Sequence, residues 1–286
     1  MIGRRFTTER IRVERRKQFL LTWTLLLLLV LSCVFLLSQL SHLKELSIDR
    51  VSIRGTMTVS RTEIFNLVAP HLEGSYLRLF SKRNVLLVRT HEIEKELETL
   101  YPRFEKVNVS RRGFDVLVVN VRERDPFGIW CDDSNDCYFL DRTGFVYAPA
   151  PTFVSGTTFV RYEGGMTSSS TPAGSHFVSE EEFKILDTLF DDLEEKNLHT
   201  SRVDLKDKSL ELLVRPDITS GIGDVATFSL FLTASSSYTQ ALSDLSVILD
   251  SPEFKVDVPD LAFLDYIDLR YGNKVFYKKK DTVSVE

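Results

Sequence analysis

Catalytic motifs are lacking in this chain of 286 residues, and histidine and cysteine are scarce, with five and three residues. No phosphate-binding loop, dinucleotide fingerprint or nucleophile elbow occurs, so common signatures of nucleotide binding and serine hydrolysis are missing. The histidines all fall in connectors or at the ends of predicted elements: His42, His71, His91, His176 and His199. We therefore expect no enzyme, no metal, no cofactor and no small-molecule substrate.

An excess of positive charge is also lacking, because 36 basic residues face 41 acidic ones and the formal net charge is −5. Residues 1–17 contain seven basic and two acidic side chains, or +5, so the remainder carries −10. Nucleic-acid binding needs clustered Lys and Arg to neutralise phosphate, so this exterior argues against it. The run Lys278–Lys280 is more typical of a solvated edge or an electrostatic contact.

One long apolar run is present, and the rest of the chain is organised around it. Residues 18–43 contain no charged side chain and lie between Lys17 and Lys44. As a helix this run is roughly 39 Å long, which exceeds the about 30 Å of a bilayer core. The alternative is a cleavable signal peptide, whose apolar region is shorter, about 7–15 residues. Since basic flanks stay inside, residues 1–17 predict a cytoplasmic tail and an extracytoplasmic remainder.

Two of the cysteines, Cys131 and Cys137, frame an acidic turn between two strand-like runs of the predicted exterior. An oxidising compartment favours a disulfide that closes this hairpin. A metal site is an alternative, although the spacing without a nearby histidine is not typical of zinc. Two free thiols are the third interpretation.

The exterior opens with a predicted strand around Val51 and Ile53, where apolar and polar residues alternate. Ser60 and Glu63 then have the spacing of a capping box, in which each side chain bonds the other residue's backbone amide. We expect a helix to begin there and to stop at Pro70, because proline lacks the amide hydrogen that a helix interior needs.

A connector over residues 74–87 follows, with apolar side chains expected to anchor it: Tyr76, Leu77, Leu79 and Phe80. A second helix is predicted from Thr90 to Pro102, with apolar residues on one face. Two strands, Phe104–Ser110 and Phe114–Val121, are joined by a tight turn at Gly113. The order of this part is therefore β-α-α-β-β.

The second part of the exterior begins after Pro126 with a small meander from Trp130 to Tyr147. Ser179 and Glu182 form another capping box, which opens an amphipathic helix. A last helix is expected over residues 236–249. Strands are predicted at Phe159–Tyr162, Arg202–Leu205, Leu210–Arg215, Thr227–Leu232, Tyr266–Tyr271 and Lys274–Tyr277.

These patterns resemble the FtsQ/DivIB family of bacterial cell-division proteins, in which a POTRA domain directly follows a signal anchor. No single motif is specific, but their order after one anchor is. The matching pieces are Val51-x-Ile53-x-Gly55, Ser60-x-x-Glu63-Ile64, Ile93-x-x-x-Leu97, Pro102, Val107-x-Val109 with Arg111, Val119-x-Val121-x-Glu123-Arg124-x-Pro126, Trp130, Tyr138-x-Leu140-Asp141-x-x-Gly144-x-Val146-Tyr147 and Tyr266-Ile267-Asp268-Leu269-Arg270-Tyr271.

The resemblance implies an α+β protein with one N-terminal transmembrane helix, a β-α-α-β-β POTRA domain and a second α+β domain built on an antiparallel sheet. The expected segments are a cytoplasmic tail (1–17), a signal anchor (18–43), the POTRA domain (46–123), an FtsQ-like β domain (126–280) and a C-terminal tail (281–286).

The resemblance also implies a single-pass scaffold in the cell membrane at the division septum, with FtsB/FtsL-type proteins as partners. In this family the C-terminal strands bind the partner by strand addition. The implied contact residues are Arg270, Tyr271, Asn273, Val275 and Tyr277. The alternative function is a POTRA-containing chaperone of secretion or outer-membrane protein assembly, although such proteins normally carry several POTRA modules.

Overall fold

A computed structural model describes residues 8–151, 159–166, 171–216, 226–234, 237–272 and 274–280, with side chains from residue 15 onward. The chain divides into two compact units, one ending at Glu123 and the other beginning at Arg124. Each unit has its own hydrophobic core. The architecture is mixed α and β, with one long apolar helix near the N-terminus and one large sheet.

The first helix, α1 (Thr8–Ser41), contains the apolar run. Its stretch Arg15–Ser41 has a mean hydropathy of 2.7 and is long and apolar enough to cross a membrane. Among the described residues, the most apolar part of this stretch is not buried against protein, and its leucines are exposed. Such a helix is compatible with a hydrocarbon environment, because all of its backbone hydrogen bonds lie within the segment.

The first unit continues with a three-stranded sheet, two helices and a short hairpin. Its elements are β1 (Arg50–Arg54), α2 (Arg61–Leu72), β2 (Ser75–Tyr76), β3 (Phe80–Ser81), α3 (Thr90–Leu100), β4 (Phe104–Arg112) and β5 (Val116–Glu123). Strand β5 lies in the centre, parallel to β1 and antiparallel to β4. The apolar faces of α2 and α3 join β4 and β5 in one core.

The segment after β1 packs closely against the end of β5 through a glycine and a carboxylate. Gly55 has φ +83°, and an added Cβ would meet the Val121 carbonyl oxygen, so no larger residue fits without a shift. Two residues later, the Met57 amide donates to Glu123 Oε1 at 2.8 Å. Burial raises the pKa of Glu123, but backbone donors from Met57, Thr58 and Val59 outweigh it and lower the pKa overall.

Two expectations for α2 are wrong in detail. The helix runs past Pro70 to Leu72, since proline at this point removes only one bond near the end of the helix. The Ser60 side chain accepts from the Thr62 amide, but no capping box forms. Glu63 instead accepts a hydrogen bond from the Tyr101 hydroxyl at 2.8 Å. A tertiary partner thus replaces the expected local one.

The second unit is built on a ten-stranded sheet with helices α4 (Glu180–Glu194), α5 (Thr239–Asp250) and α6 (Pro252–Asp257). Its strands are β6 (Gly128–Cys131), β7 (Cys137–Leu140), β8 (Phe145–Pro149), β9 (Val160–Gly164), β10 (Ser175–His176), β11 (Leu198–Lys206), β12 (Ser209–Pro216), β13 (Phe228–Thr233), β14 (Leu264–Tyr271) and β15 (Lys274–Lys279). Their order across the sheet is β10-β8-β7-β6-β9-β11-β12-β13-β14-β15.

This sheet is mixed, which corrects the expectation of an antiparallel one. Strand β9 runs parallel to both of its neighbours, β6 and β11, and β13 runs parallel to β14. The other pairs are antiparallel. Alternation of apolar and polar residues marks a strand but does not encode its direction, so the sequence could not distinguish these pairings.

Helices of the second unit follow their local signals more closely. The capping box at Ser179 and Glu182 is confirmed, with both reciprocal hydrogen bonds formed. The predicted apolar face of α4 is buried: Phe183, Leu186, Leu189, Phe190 and Leu193. Ser251 caps the end of α5 and also the start of α6, where Pro252 occupies the first turn. Pro252 therefore begins a new short helix directly after α5.

Candidate functional site

The candidate site is the edge of the large sheet formed by the C-terminal hairpin. Strand β14 pairs with β13 on one side and with β15 on the other, and Gly272 (φ +65°) lies in the turn. Within the part of the chain that the structure describes, no strand pairs with the far side of β15. The backbone groups along such an edge are a template for a further strand.

One face of β15 holds the hairpin to the second unit's core. Val275 and Tyr277 are half-buried there, and the Tyr277 ring meets the Phe254 ring edge-on at 5.0 Å. The Tyr277 hydroxyl donates to Asp257 Oδ2 at 2.9 Å, and Lys279 Nζ donates to Asp257 Oδ1 at 2.7 Å. These two hydrogen bonds lower the pKa of Asp257. The side chains of Val275 and Tyr277 therefore serve packing, and their backbone lies on the edge strand.

The opposite face of the hairpin is organised by Asp268 and Arg270. Arg270 Nε donates to Asp268 Oδ1 at 2.9 Å, and Arg270 Nη2 donates to Asp268 Oδ2 at 2.6 Å. Burial raises the pKa of Asp268, but the hydrogen bonds and charge of Arg270 outweigh it and lower the pKa overall. Arg270 Nη1 also donates to the Ser209 hydroxyl at 3.3 Å. The guanidinium is thus held in a fixed position on the sheet.

Two aromatic rings lie near this guanidinium, and each of them contacts a further ring. We call the four residues the outer aromatic cluster: Phe231, Tyr266, Tyr271 and Phe276. The Tyr271 and Phe276 rings meet edge-on at 5.3 Å, and Phe231 and Tyr266 meet similarly at 5.7 Å. Arg270 lies 5.0 Å from the Phe231 ring and 5.9 Å from the Tyr271 ring. Tyr271 is 58% exposed and Phe276 50% exposed, so the cluster presents apolar surface beside the open edge.

The structure brings together only part of the set implied by the sequence. Arg270 and Tyr271 lie on the outer face, whereas Val275 and Tyr277 are directed to the core side. Asn273 lies outside the described residues. Phe276 was missed, although its place between Val275 and Tyr277 in a strand already assigns it to the opposite face.

The cysteine pair lies elsewhere in the second unit, at the β6–β7 hairpin. A disulfide joins Cys131 to Cys137 in the structure, and both residues are buried beside Ile129. Asp132 orders the intervening turn, because its Oδ1 accepts from the amides of Ser134 and Asp136, each at 2.9 Å.

Comparisons with known proteins identify a relative by sequence. No family model matches it. It is 26% identical over 167 residues to a curated protein named "Cell division protein FtsQ" from Streptomyces bingchenggensis. The aligned part covers 58% of this chain and 58% of that relative's length. The chain is therefore similar in sequence to an FtsQ protein, which confirms the family resemblance that its motifs indicated.

Proposed function

We propose that this chain is a single-pass membrane scaffold protein of the bacterial divisome, which holds FtsB/FtsL-type partners at the division septum. The similarity to a protein named for cell division supports a role in that process. The apolar helix α1 supports attachment to the cell membrane, and the basic residues before it favour a cytoplasmic N-terminus. The function needs no chemical step, only binding surfaces.

The proposed segments are those of the sequence analysis: a cytoplasmic tail (1–17), the transmembrane anchor (18–43), a POTRA domain (46–123), an FtsQ-like β domain (126–280) and a C-terminal tail (281–286). The division into compact units at Glu123 and Arg124 supports the separation of the two exterior domains.

The observation that carries the proposal is an open sheet edge beside exposed aromatic rings. A partner strand added to β15 gains backbone hydrogen bonds from the edge, while an apolar side chain on it covers Tyr271 and Phe276. Tyrosine is enriched among the residues that dominate binding energy at interfaces. Lys274 is exposed at the start of the strand, so an acidic side chain on the partner would complement this edge.

Tyr271→Ala tests this proposal. We expect the variant to bind an FtsB-type peptide more weakly by about 2 kcal/mol or more, or roughly 30-fold in Kd, because it removes a rigid aromatic anchor. Thermal stability should change little, since the ring is largely exposed. The measurements are calorimetric titration of the full chain in detergent with the peptide, and thermal unfolding of the same samples.

Phe114→Ala is the matched control, because Phe114 is a similarly exposed aromatic residue of the first unit. It should leave peptide affinity unchanged. Unaltered binding by a normally folded Tyr271→Ala protein would remove this residue from the interface. A large loss of stability in that variant would instead assign Tyr271 to packing.

A further inference from the structure

The short hairpin β2–β3 and the residues after it are bonded to the last turns of α1. The Ser38 hydroxyl donates to the Leu79 carbonyl at 2.5 Å. The Ser41 hydroxyl accepts from the Ser81 amide at 3.2 Å, and its carbonyl accepts from Asn84 Nδ2 at 3.1 Å. Ser38 and Ser41 are buried, although they lie at the end of an otherwise exposed helix, and Asn84, which follows β3, is buried as well. This contact therefore holds the hairpin against the helix.

These bonds determine how deep the hairpin lies relative to the apolar run. Ser38 is five residues before Leu43, the last residue of the uncharged segment. At about 1.5 Å per residue, the Leu79 carbonyl lies roughly 7 Å inside the end of that segment. A hairpin at this level meets the boundary between lipid headgroups and hydrocarbon wherever α1 crosses a bilayer.

The hairpin and the residues just after it display exposed apolar side chains. Leu77, which was expected to anchor the connector, is 87% exposed, and Leu86 is 67% exposed. Leu77 and Arg78 form the hairpin turn with φ +51° and +60°. This left-handed conformation is uncommon for residues other than glycine, asparagine and aspartate. The turn thus places a leucine at its tip where local conformational preference favours other residues.

Basic and aromatic groups lie in the same segment of the chain as these leucines. Lys82 Nζ lies 5.8 Å from the centre of the Tyr76 ring, and the Arg89 guanidinium lies 4.8 Å from it. Arg78 is exposed at the tip beside Leu77. Leucines for the acyl region, with tyrosine, lysine and arginine at the headgroups, are the composition of interfacial membrane anchors.

We propose that the β2–β3 hairpin, with Leu86, inserts into the outer interface of the membrane that α1 spans. Leu77 and Leu86 contact acyl chains, and Arg78 and Lys82 contact lipid phosphates. The first unit then has two membrane attachments, a spanning helix and an inserted hairpin, which restrict its orientation above the bilayer. This inference rests on the proposed transmembrane role of α1.

The test measures the depth of single labels on the full chain in phospholipid vesicles. A nitrobenzoxadiazole label is placed at Leu77→Cys in a Cys33→Ser background, with the disulfide left oxidised. Leu86→Cys provides a second position in case the first disturbs the turn. The control is Met57→Cys, which is 83% exposed in the same unit but in the loop after β1. Native Cys33, labelled in the parent chain, reports on the span itself.

We expect brominated acyl chains to quench the labels at Leu77 and Leu86, as at Cys33, and aqueous iodide to quench the label at Met57. Quenching of both hairpin labels by iodide, with Cys33 quenched by lipid, overturns the hairpin proposal and leaves the spanning helix standing. A Cys33 label beyond the reach of lipid quenchers overturns the transmembrane proposal and the hairpin proposal together.

Discussion

At the residue scale, the pair Asp268 and Arg270 determines the shape of the candidate interface. These residues are two apart on β14, so their side chains share a face of the sheet. The Asp268 side chain is 8% exposed, and its bidentate bond holds the guanidinium between the rings of Phe231 and Tyr271. The carboxylate thus supports the aromatic surface without lying on it.

Asp268→Asn should destabilise the protein at neutral pH by about 1.5–3 kcal/mol, the usual contribution of a hydrogen bond to a charged group. The effect should depend on pH, because the pKa of Asp268 is lowered in the folded state. The stabilisation is present above the unfolded pKa of about 3.9 and is lost as pH falls through the folded pKa. Urea unfolding of the parent chain and of Asp268→Asn from pH 7 to pH 3 measures whether their free energies of unfolding approach each other as the pH falls.

Asp265→Asn is the matched control on the same strand, where an exposed carboxylate lies 3.4 Å from Lys278 Nζ. An exposed ion pair contributes about 0–1 kcal/mol, so this variant should unfold almost as the parent chain does. If the two variants lost equal amounts of unfolding free energy, and if those losses did not depend on pH, the assigned role of Asp268 would be contradicted.

At the scale of elements, the disulfide closes the β6–β7 hairpin. Reduction should lower stability by about 2–3 kcal/mol in the chain-entropy model, because it frees a short loop in the unfolded chain. The turn keeps its hydrogen bonds to Asp132, so the folded hairpin should persist after reduction. Urea unfolding with and without reductant measures the difference, and Cys33→Ser removes any contribution from the free thiol.

Mass spectrometry of unreduced, alkylated protein purified from the membrane tests the bond itself. A peptide linking Cys131 to Cys137 is expected. Recovery of both residues as alkylated thiols would contradict a disulfide in the native protein.

At the scale of the whole molecule, orientation and location are tested together by a green fluorescent protein fused ahead of Met1. This reporter fluoresces in the cytoplasm but not after export in unfolded form. We expect the fusion to fluoresce, because the basic residues 1–17 keep the N-terminus inside. We expect the fluorescence to form a band at midcell in dividing cells, because the proposed scaffold acts at the septum.

Two results of the fusion experiment would contradict the proposal in different ways. A full-length fusion without fluorescence would contradict the orientation. Uniform fluorescence around the membrane would contradict a role at the septum while leaving the orientation intact. Comparing the midcell signal of this fusion with that of a fusion carrying Tyr271→Ala measures how much the sheet edge contributes to septal location.

Local patterns predicted the elements well where no distant residue competed. The two capping-box sequences illustrate the limit, since Ser179 and Glu182 form the motif whereas Ser60 and Glu63 do not. The difference is Tyr101, which lies 38 positions from Glu63 in sequence and bonds its carboxylate. A spacing rule cannot include such a partner, because it considers only neighbours along the chain.

The sequence by itself determined the apolar helix, most of the longer strands and helices, and the β14–β15 hairpin, because composition, periodicity and turn residues act over short distances. It did not predict the short strands β2, β3 and β10 or the short helix α6. Only the tertiary structure decided that β9 lies between β6 and β11, that β15 is an edge, and that Leu77 is exposed. These outcomes depend on which surfaces meet in space. A strand is an edge, and a leucine is exposed, when no other part of the chain packs beside it. Whether that happens depends on residues far away in sequence.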